Sequence, residues 1–180
     1  MNLAELIQTE GARRTLEKGK QIFGQGESNT SLYFVQSGLL KAYYTNSDGK
    51  VLIKSFIQPS SVIGSVNAFR MGGESTFSLV CIEQSTLVEI SYALIKRHSE
   101  ESLEIANSVI DLLMQFAMKK EQREYELLCL SAEERYRLIL KSTPELLGRV
   151  TQNDLAHYLG ITPVGLSRIK KRVMDNSGNL

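Results

Sequence analysis

The sequence predicts an α+β fold in three parts: an N-terminal antiparallel β-roll of jelly-roll type, one long helix, and a small C-terminal domain built on a helix-turn-helix. Three observations carry that expectation. Residues 20–91 break into short β-prone runs closed by glycine or polar turns. Residues from about Glu100 to about Cys129 contain neither Gly nor Pro. The segment "VTQNDLAHYLGITPVGLSRIKKRV" (150–173) sets two short helical patterns about a glycine. Strands first and helices afterwards imply α+β rather than an alternating parallel architecture.

In chain order, "KQIFGQGE" (20–27) and "SLYFVQSG" (31–38) are short apolar runs, each punctuated by Gly. "LLKAYYTNSDGKVLIKSFI" (39–57) carries the clearest hairpin signal, two β-prone arms about Asp48-Gly49, because glycine enters a tight turn at positive φ without strain. "STFSLVCIE" (75–83) and "STLVEIS" (85–91) add two strands separated at Gln84-Ser85. Ser91 opens the helical region. On the long helix, one apolar stripe is Ile105, Val109, Leu112 and Phe116, and a second is Leu103, Ala106, Ile110, Leu113 and Ala117. One stripe suffices to cover a β-body, and the other suits a parallel seam with a second copy of the helix. The run "KKEQREYE" (119–126) keeps the last turns of the helix wet. Ser131-Ala-Glu-Glu134 forms a capping box, in which serine and glutamate satisfy each other's exposed amides, and a new domain begins there. The expected boundaries are 1–99 for the β-roll, 100–130 for the long helix and 131–180 for the helical domain.

Within that last domain, Pro144 and Gly148 delimit a short helix. Thr151 then caps a helix from Gln152 to Leu159, Gly160-Ile161-Thr162 turns the chain, and a second helix runs from Pro163 to about Val173. Leu155, Leu159, Ile161, Leu166 and Ile169 occupy the slots that two crossing helices bury, with small Ala156 at their approach. At 100° per residue, Leu166, Ile169 and Val173 face inward, while Val164, Ser167, Arg168, Lys171 and Arg172 take the opposite arc and Lys170 the flank. Residues 131–180 hold 8 Lys/Arg against 5 Asp/Glu, whereas residues 1–130 hold 13 against 15. The positive charge is therefore local. Cations on the open face of a second helix suit DNA phosphates and base edges. The candidate DNA-contacting residues are Thr151, Gln152, Thr162, Val164, Ser167, Arg168, Lys171 and Arg172.

Other chemistries are excluded or disfavoured. Met1–Thr15 has no apolar core of a secretory signal, and no apolar run reaches the roughly 18 residues of a membrane span. A cytoplasmic protein with no membrane association is expected. Cys81 and Cys129 lie far apart, and His98 and His157 form no cluster, so neither a metal site nor a catalytic acid–base pair is legible. No cofactor is expected, and no enzymatic activity.

The whole chain over roughly 15–174 resembles the Crp/Fnr family of bacterial transcription regulators. "GQGESNTSLYFVQSGLLKAYYTNSDGKVLIKSFIQPSSVIGSVNAF" looks like that family's cyclic-nucleotide-binding β-roll, with Gly26, Gly38, Gly49 and Gly64 at turn positions. The long helix is similar to its dimerisation helix, and 150–173 to its DNA-reading motif, where Arg168 matches a base-contacting arginine. The resemblance implies a homodimer that binds double-stranded DNA, answers to a small-molecule effector and works with RNA polymerase. It also implies an effector pocket at Gly64, Ser65, Val66, Ser75 and Thr76. Cyclic-AMP binders of the family carry Gly-Glu and then Arg-Ser or Arg-Thr at these places, whereas this chain has Gly64-Ser65 and Ser75-Thr76. A buried phosphate without its cation is heavily penalised, so cyclic AMP is not the expected effector. Two cysteines cannot hold the iron–sulfur cluster of other members. Val164-Gly165 replaces polar or acidic residues early in the recognition helix, and "MDNSGNL" after that helix implies that the family's C-terminal hairpin wing is missing or much reduced. The competing reading is a cyclic-nucleotide-sensing module whose helical tail binds a protein partner.

Overall fold

A computed structural model describes residues 1–71 and 73–177. They fall into two compact units, Met1–Phe116 and a second from Ala117 onward.

The first unit opens with helix α1 (Leu3–Glu10), held by a capping box between Asn2 and Glu5. Eight strands follow: β1 (Ala12–Leu16), β2 (Gln21–Phe23), β3 (Ser31–Ser37), β4 (Leu40–Thr45), β5 (Val51–Ile57), β6 (Val62–Ile63), β7 (Ser78–Cys81) and β8 (Ser85–Ser91), with α2 (Val66–Met71) between β6 and β7. They form two four-stranded sheets, β1-β8-β3-β6 and β2-β7-β4-β5, and every pairing is antiparallel. The hairpin of β4 and β5 turns at Asp48-Gly49, where Gly49 has φ 75°. β2 and β7 are shorter than the apolar runs that contain them.

Alternation along the strands explains the packing. Tyr33 and Val35 of β3 and Leu87 of β8 join Phe23, Leu40, Phe77 and Leu79 in a core lined by both sheets. Leu32 of β3 and Val88 and Ile90 of β8 point the other way, onto Leu3, Leu6 and Ile7 of α1. Helices α3 (Tyr92–Glu101) and α4 (Leu103–Cys129) add Ile95 and Ile105 to that second cluster. The first sheet is thus buried on both faces, which is why β3 reads as a nearly continuous apolar run. Ser91 caps α3 by accepting from the Leu94 amide at 3.2 Å. The long helix expected from about Glu100 begins at Leu103 instead. Ser102 separates it from α3 with an extended backbone (φ −137°, ψ 114°), and its N–H bonds His98 O.

Of the two stripes on α4, Ile105 is fully buried and Val109 and Leu112 pack on the same cluster. The second stripe is open, with Leu103 83% exposed and Ile110 and Leu113 exposed as well. Met114, Met118, Tyr125 and Leu128 extend the open apolar surface toward the end of the helix.

The second unit holds the end of α4, then α5 (Ala132–Ser142), a 3-10 turn (Pro144–Gly148), α6 (Gln152–Tyr158) and α7 (Pro163–Ser177). The Ser131–Glu134 capping box is present in both directions. Tyr136, Ile139, Leu146, Val150, Leu155, Ala156, Leu159, Leu166, Ile169 and Val173 are its buried apolar residues. Helix α7 runs four residues beyond Val173, so the first four residues of "MDNSGNL" are its last turn, and Gly178–Leu180 lie outside the described residues. Cys81 is buried in the roll, and Cys129, the last residue of α4, is exposed.

Candidate nucleic-acid interface

The hydroxyl of Thr151 accepts from the Asp154 amide at 3.0 Å and so starts α6. The hydroxyl of Thr162 does the same for α7, accepting from the Gly165 amide at 3.1 Å. Pro163 follows at a position whose amide would have no helical partner. Gly160 joins the helices at φ 72°, a left-handed conformation that an L side chain resists. Leu155, Ala156 and Leu159 of the first helix and its cap meet Leu166, Ile169 and Val173 of the second in the buried layer. Ile161, expected among them, is only half-buried.

This packing turns the remaining arc of α7 to solvent: Val164, Ser167, Arg168, Lys171 and Arg172 are all exposed. Their electrostatic settings differ. Among the described residues, Arg168 and Lys171 have no ion-pair partner. Arg172 Nε donates to Glu133 Oε2 at 3.0 Å, and Arg137 donates to the other oxygen at 3.0 Å. Hydrogen bonds from Arg137 and then Arg172 hold the Glu133 carboxyl below its usual range. Gln152 accepts from Lys170 Nζ at 2.7 Å, which ties the start of α6 to the flank of α7. Sequence reasoning missed Glu133 and this link, since their partners lie 39 and 18 residues away.

The candidate effector residues separate. Gly64 has no room for a side chain, because a Cβ there would lie 2.6 Å from both Leu32 Cδ2 and Phe69 Cζ. Ser65 is buried, and its hydroxyl accepts from the Ala68 amide at 3.4 Å, inside α2. Ser75 is 2% exposed and its hydroxyl has no hydrogen-bond partner among the described residues. Its backbone is fixed by pairing with Gly26 and Glu27, each bond 2.8 Å. Val66 and Thr76 face solvent. The roll interior carries aromatic rings: Phe23 lies 5.3 Å from Phe77, and Tyr44 6.5 Å from it, between centroids. One cation the sequence did not single out, Lys54, places its Nζ 4.8 Å from the Phe77 ring centroid. The Arg70 side chain, the nearest cation in sequence to the pocket, lies outside the described part. Among the described residues no cluster of His, Cys, Asp or Glu could hold a metal, and no helix is long and apolar enough to cross a membrane.

A two-sheet roll, a long helix and a helix-turn-helix with an outward basic face define the architecture of a transcription regulator. Residues 13–101 match the cyclic nucleotide-binding domain family. The chain is 24% identical to the electron transport regulator A of Shewanella oneidensis, over 89% of its own length and 68% of the relative's. It is 26% identical to the nitrogen fixation regulation protein FixK of Rhizobium meliloti, over 91% and 75%. FixK2 of Bradyrhizobium japonicum has the same fold, with a TM-score of 0.81 at 18% identity, covering 93% of this chain and 86% of that one. In sequence and fold the chain is similar to transcription regulators of Crp/Fnr type, which bind DNA and act as dimers.

Proposed function

We propose that this chain is a cytoplasmic homodimer that reads a palindromic DNA operator through α7, pairs through the open stripe of α4, and does not answer to cyclic AMP. In this reading residues 1–99 are the sensor, 100–130 the dimerisation helix and 131–180 the DNA-binding domain. The carrying observation is the exposed arc of α7, on which Arg168 and Lys171 project without a counter-ion among the described residues while Leu166, Ile169 and Val173 fix the opposite face. Thr151, Gln152 and Thr162 stand at the two helix starts, where backbone amides favour phosphate oxygens. Ser167 is short enough to admit the Arg168 fork to a guanine edge. Leu103, Ile110, Leu113 and Met118 supply the apolar seam for a second copy. In the roll, Ser65 and Ser75 stand where a ribose-binding carboxylate and a phosphate-binding guanidinium would be needed. An effector without an anionic cyclic phosphate, and RNA polymerase, complete the proposed partners.

Selection of bound duplexes from a random pool tests this reading. Enrichment of a two-fold symmetric site, bound with affinity that falls steeply with salt, is the expected result. Failure to enrich any site, with no salt-dependent retention of DNA, would overturn it in favour of a protein-binding tail.

A further inference from the structure

Three helix ends meet in the second unit, and two arginines join them. Helix α4 ends at Cys129, where carbonyls begin to run out of helical partners, although Glu126 O still accepts from the Leu130 amide at 3.3 Å. Arg135, in the first turn of α5, reaches back to them. Its Nη1 donates to Glu126 O at 3.0 Å and to Leu130 O at 2.5 Å. Its Nη2 donates to Leu159 O at 2.8 Å, at the cap of α6 and beside the Gly160 turn. Arg123, on α4 itself, donates to Tyr158 O and lays its guanidinium 3.9 Å from the centre of the Tyr158 ring. Helix C-termini carry partial negative charge, which suits a cation. Yet two guanidiniums are drawn together here, and among the described residues Glu126 is the one carboxylate paired with them, 3.8 Å from Arg123. Burial and then the neighbouring Arg123 depress the Arg135 pKa, so the arrangement carries an electrostatic cost.

What that cost secures is geometric. Each arginine bonds to main-chain carbonyls of the helix-turn-helix, which move only with the helix that carries them, and a planar fork bonds several acceptors in fixed directions. The end of α4 and the turn of the reading motif are thereby held as one body. The covalent link between α4 and α5 is short, Leu130 and Ser131, and these bonds brace it.

We propose that Arg123 and Arg135 are positioning residues that lock the reading motif to the end of the dimerisation helix, and so set the half-site spacing the dimer accepts. This rests on the DNA-reading and α4-pairing roles proposed above. Half-site separation mirrors the separation and direction of the two recognition helices. A locked arm therefore accepts one spacing, and a loosened arm accepts several.

The test uses the full chain and the selected operator, that operator with its spacer lengthened or shortened by one and two base pairs, and a duplex with one half-site. A two-base-pair change rotates one half-site by about 70° relative to the other, so the native protein should lose about tenfold or more in affinity. Arg135→Gln and Arg123→Gln should bring that ratio to about threefold or less, while affinity for the single half-site stays within about twofold. Arg135→Lys retains the charge but not the fork, and should relax spacing as the glutamine variant does. Circular dichroism and the single half-site control show that each motif is folded. Should one arginine prove necessary for folding, the other variant and the lysine substitution decide the matter. Uniform loss on every duplex, half-site included, would overturn the proposal and make the arginines simple supports. Unchanged spacing discrimination in the variants would overturn it too. If the native chain binds no duplex, the DNA-reading role itself has failed. A native chain that binds well but ignores spacing defeats only this inference.

Discussion

At the scale of single residues, cations one turn apart on α7 have different surroundings, and the proposed reading gives them different work. Arg168 lies in the middle of the exposed arc beside Ser167, and only a guanidinium fork engages both guanine acceptors at once. Arg168→Ala should cost about 1–3 kcal/mol per half-site and relax preference at one base position. Lys171→Ala should weaken all sequences alike and lower the salt slope by about one per half-site. Binding curves on matched and singly substituted duplexes at several salt concentrations separate the two. Equal loss on every duplex for Arg168→Ala would make it another phosphate clamp. Arg172 is the contrasting case, since Glu133 already engages its guanidinium. On the proposed reading a phosphate must compete with that carboxylate for it, so Arg172→Ala should lower the salt slope less than Lys171→Ala does.

At the scale of elements, α4 is amphipathic in two directions, and the open one can be tested directly. Each apolar side chain covered by a partner contributes about 1.5–3 kcal/mol. Light scattering should report twice 20.2 kDa for the native chain. Ile110→Glu with Leu113→Glu places like charges within the seam and should yield a monomer with weakened binding to the palindrome. A native monomer that still binds the palindrome tightly would refute pairing through this helix. Elements with strong local chemistry were legible in the sequence: the Asp48-Gly49 turn, the Ser91 and Thr151 caps, the Ser131–Glu134 box and the apolar slots about Gly160. Elements without it were not. The α1 box was present as Asn2 and Glu5 but encloses only 8 residues, too few for a periodic pattern to declare itself. β1 is an edge strand whose first four residues are exposed, so "ARRT" shows no alternation, and its arginines also discourage pairing with other chains. Ser102 ends one helix and begins the next without the Gly or Pro that usually marks a break. The arginine clamp escaped notice because its acceptors are main-chain carbonyls, which no side-chain pattern encodes.

At the scale of the molecule, the roll keeps the two-sheet fold, and on the proposed reading Ser65 and Ser75 replace the chemistry that would hold a cyclic phosphate. Losing a partner of a buried charge typically costs about 2–5 kcal/mol, so calorimetric titration with cyclic AMP should show no binding in the micromolar range. A saturable micromolar isotherm would assign the phosphate to another cation, with Lys54 above the Phe77 ring the first to replace by Met. The two cysteines have a practical consequence for following such a regulator at work. Burial pushes the Cys81 thiol up and removes it from reagents, whereas Cys129 is open. A maleimide should therefore consume one equivalent per folded chain and two per unfolded chain, as counted by mass spectrometry. The native sequence thus accepts a single spin label at the tip of each α4 without any engineered cysteine. In a dimer, the dipolar coupling between the two labels becomes a ruler, and the breadth of its distance distribution a direct reading of how far the tips wander before and after an operator is bound.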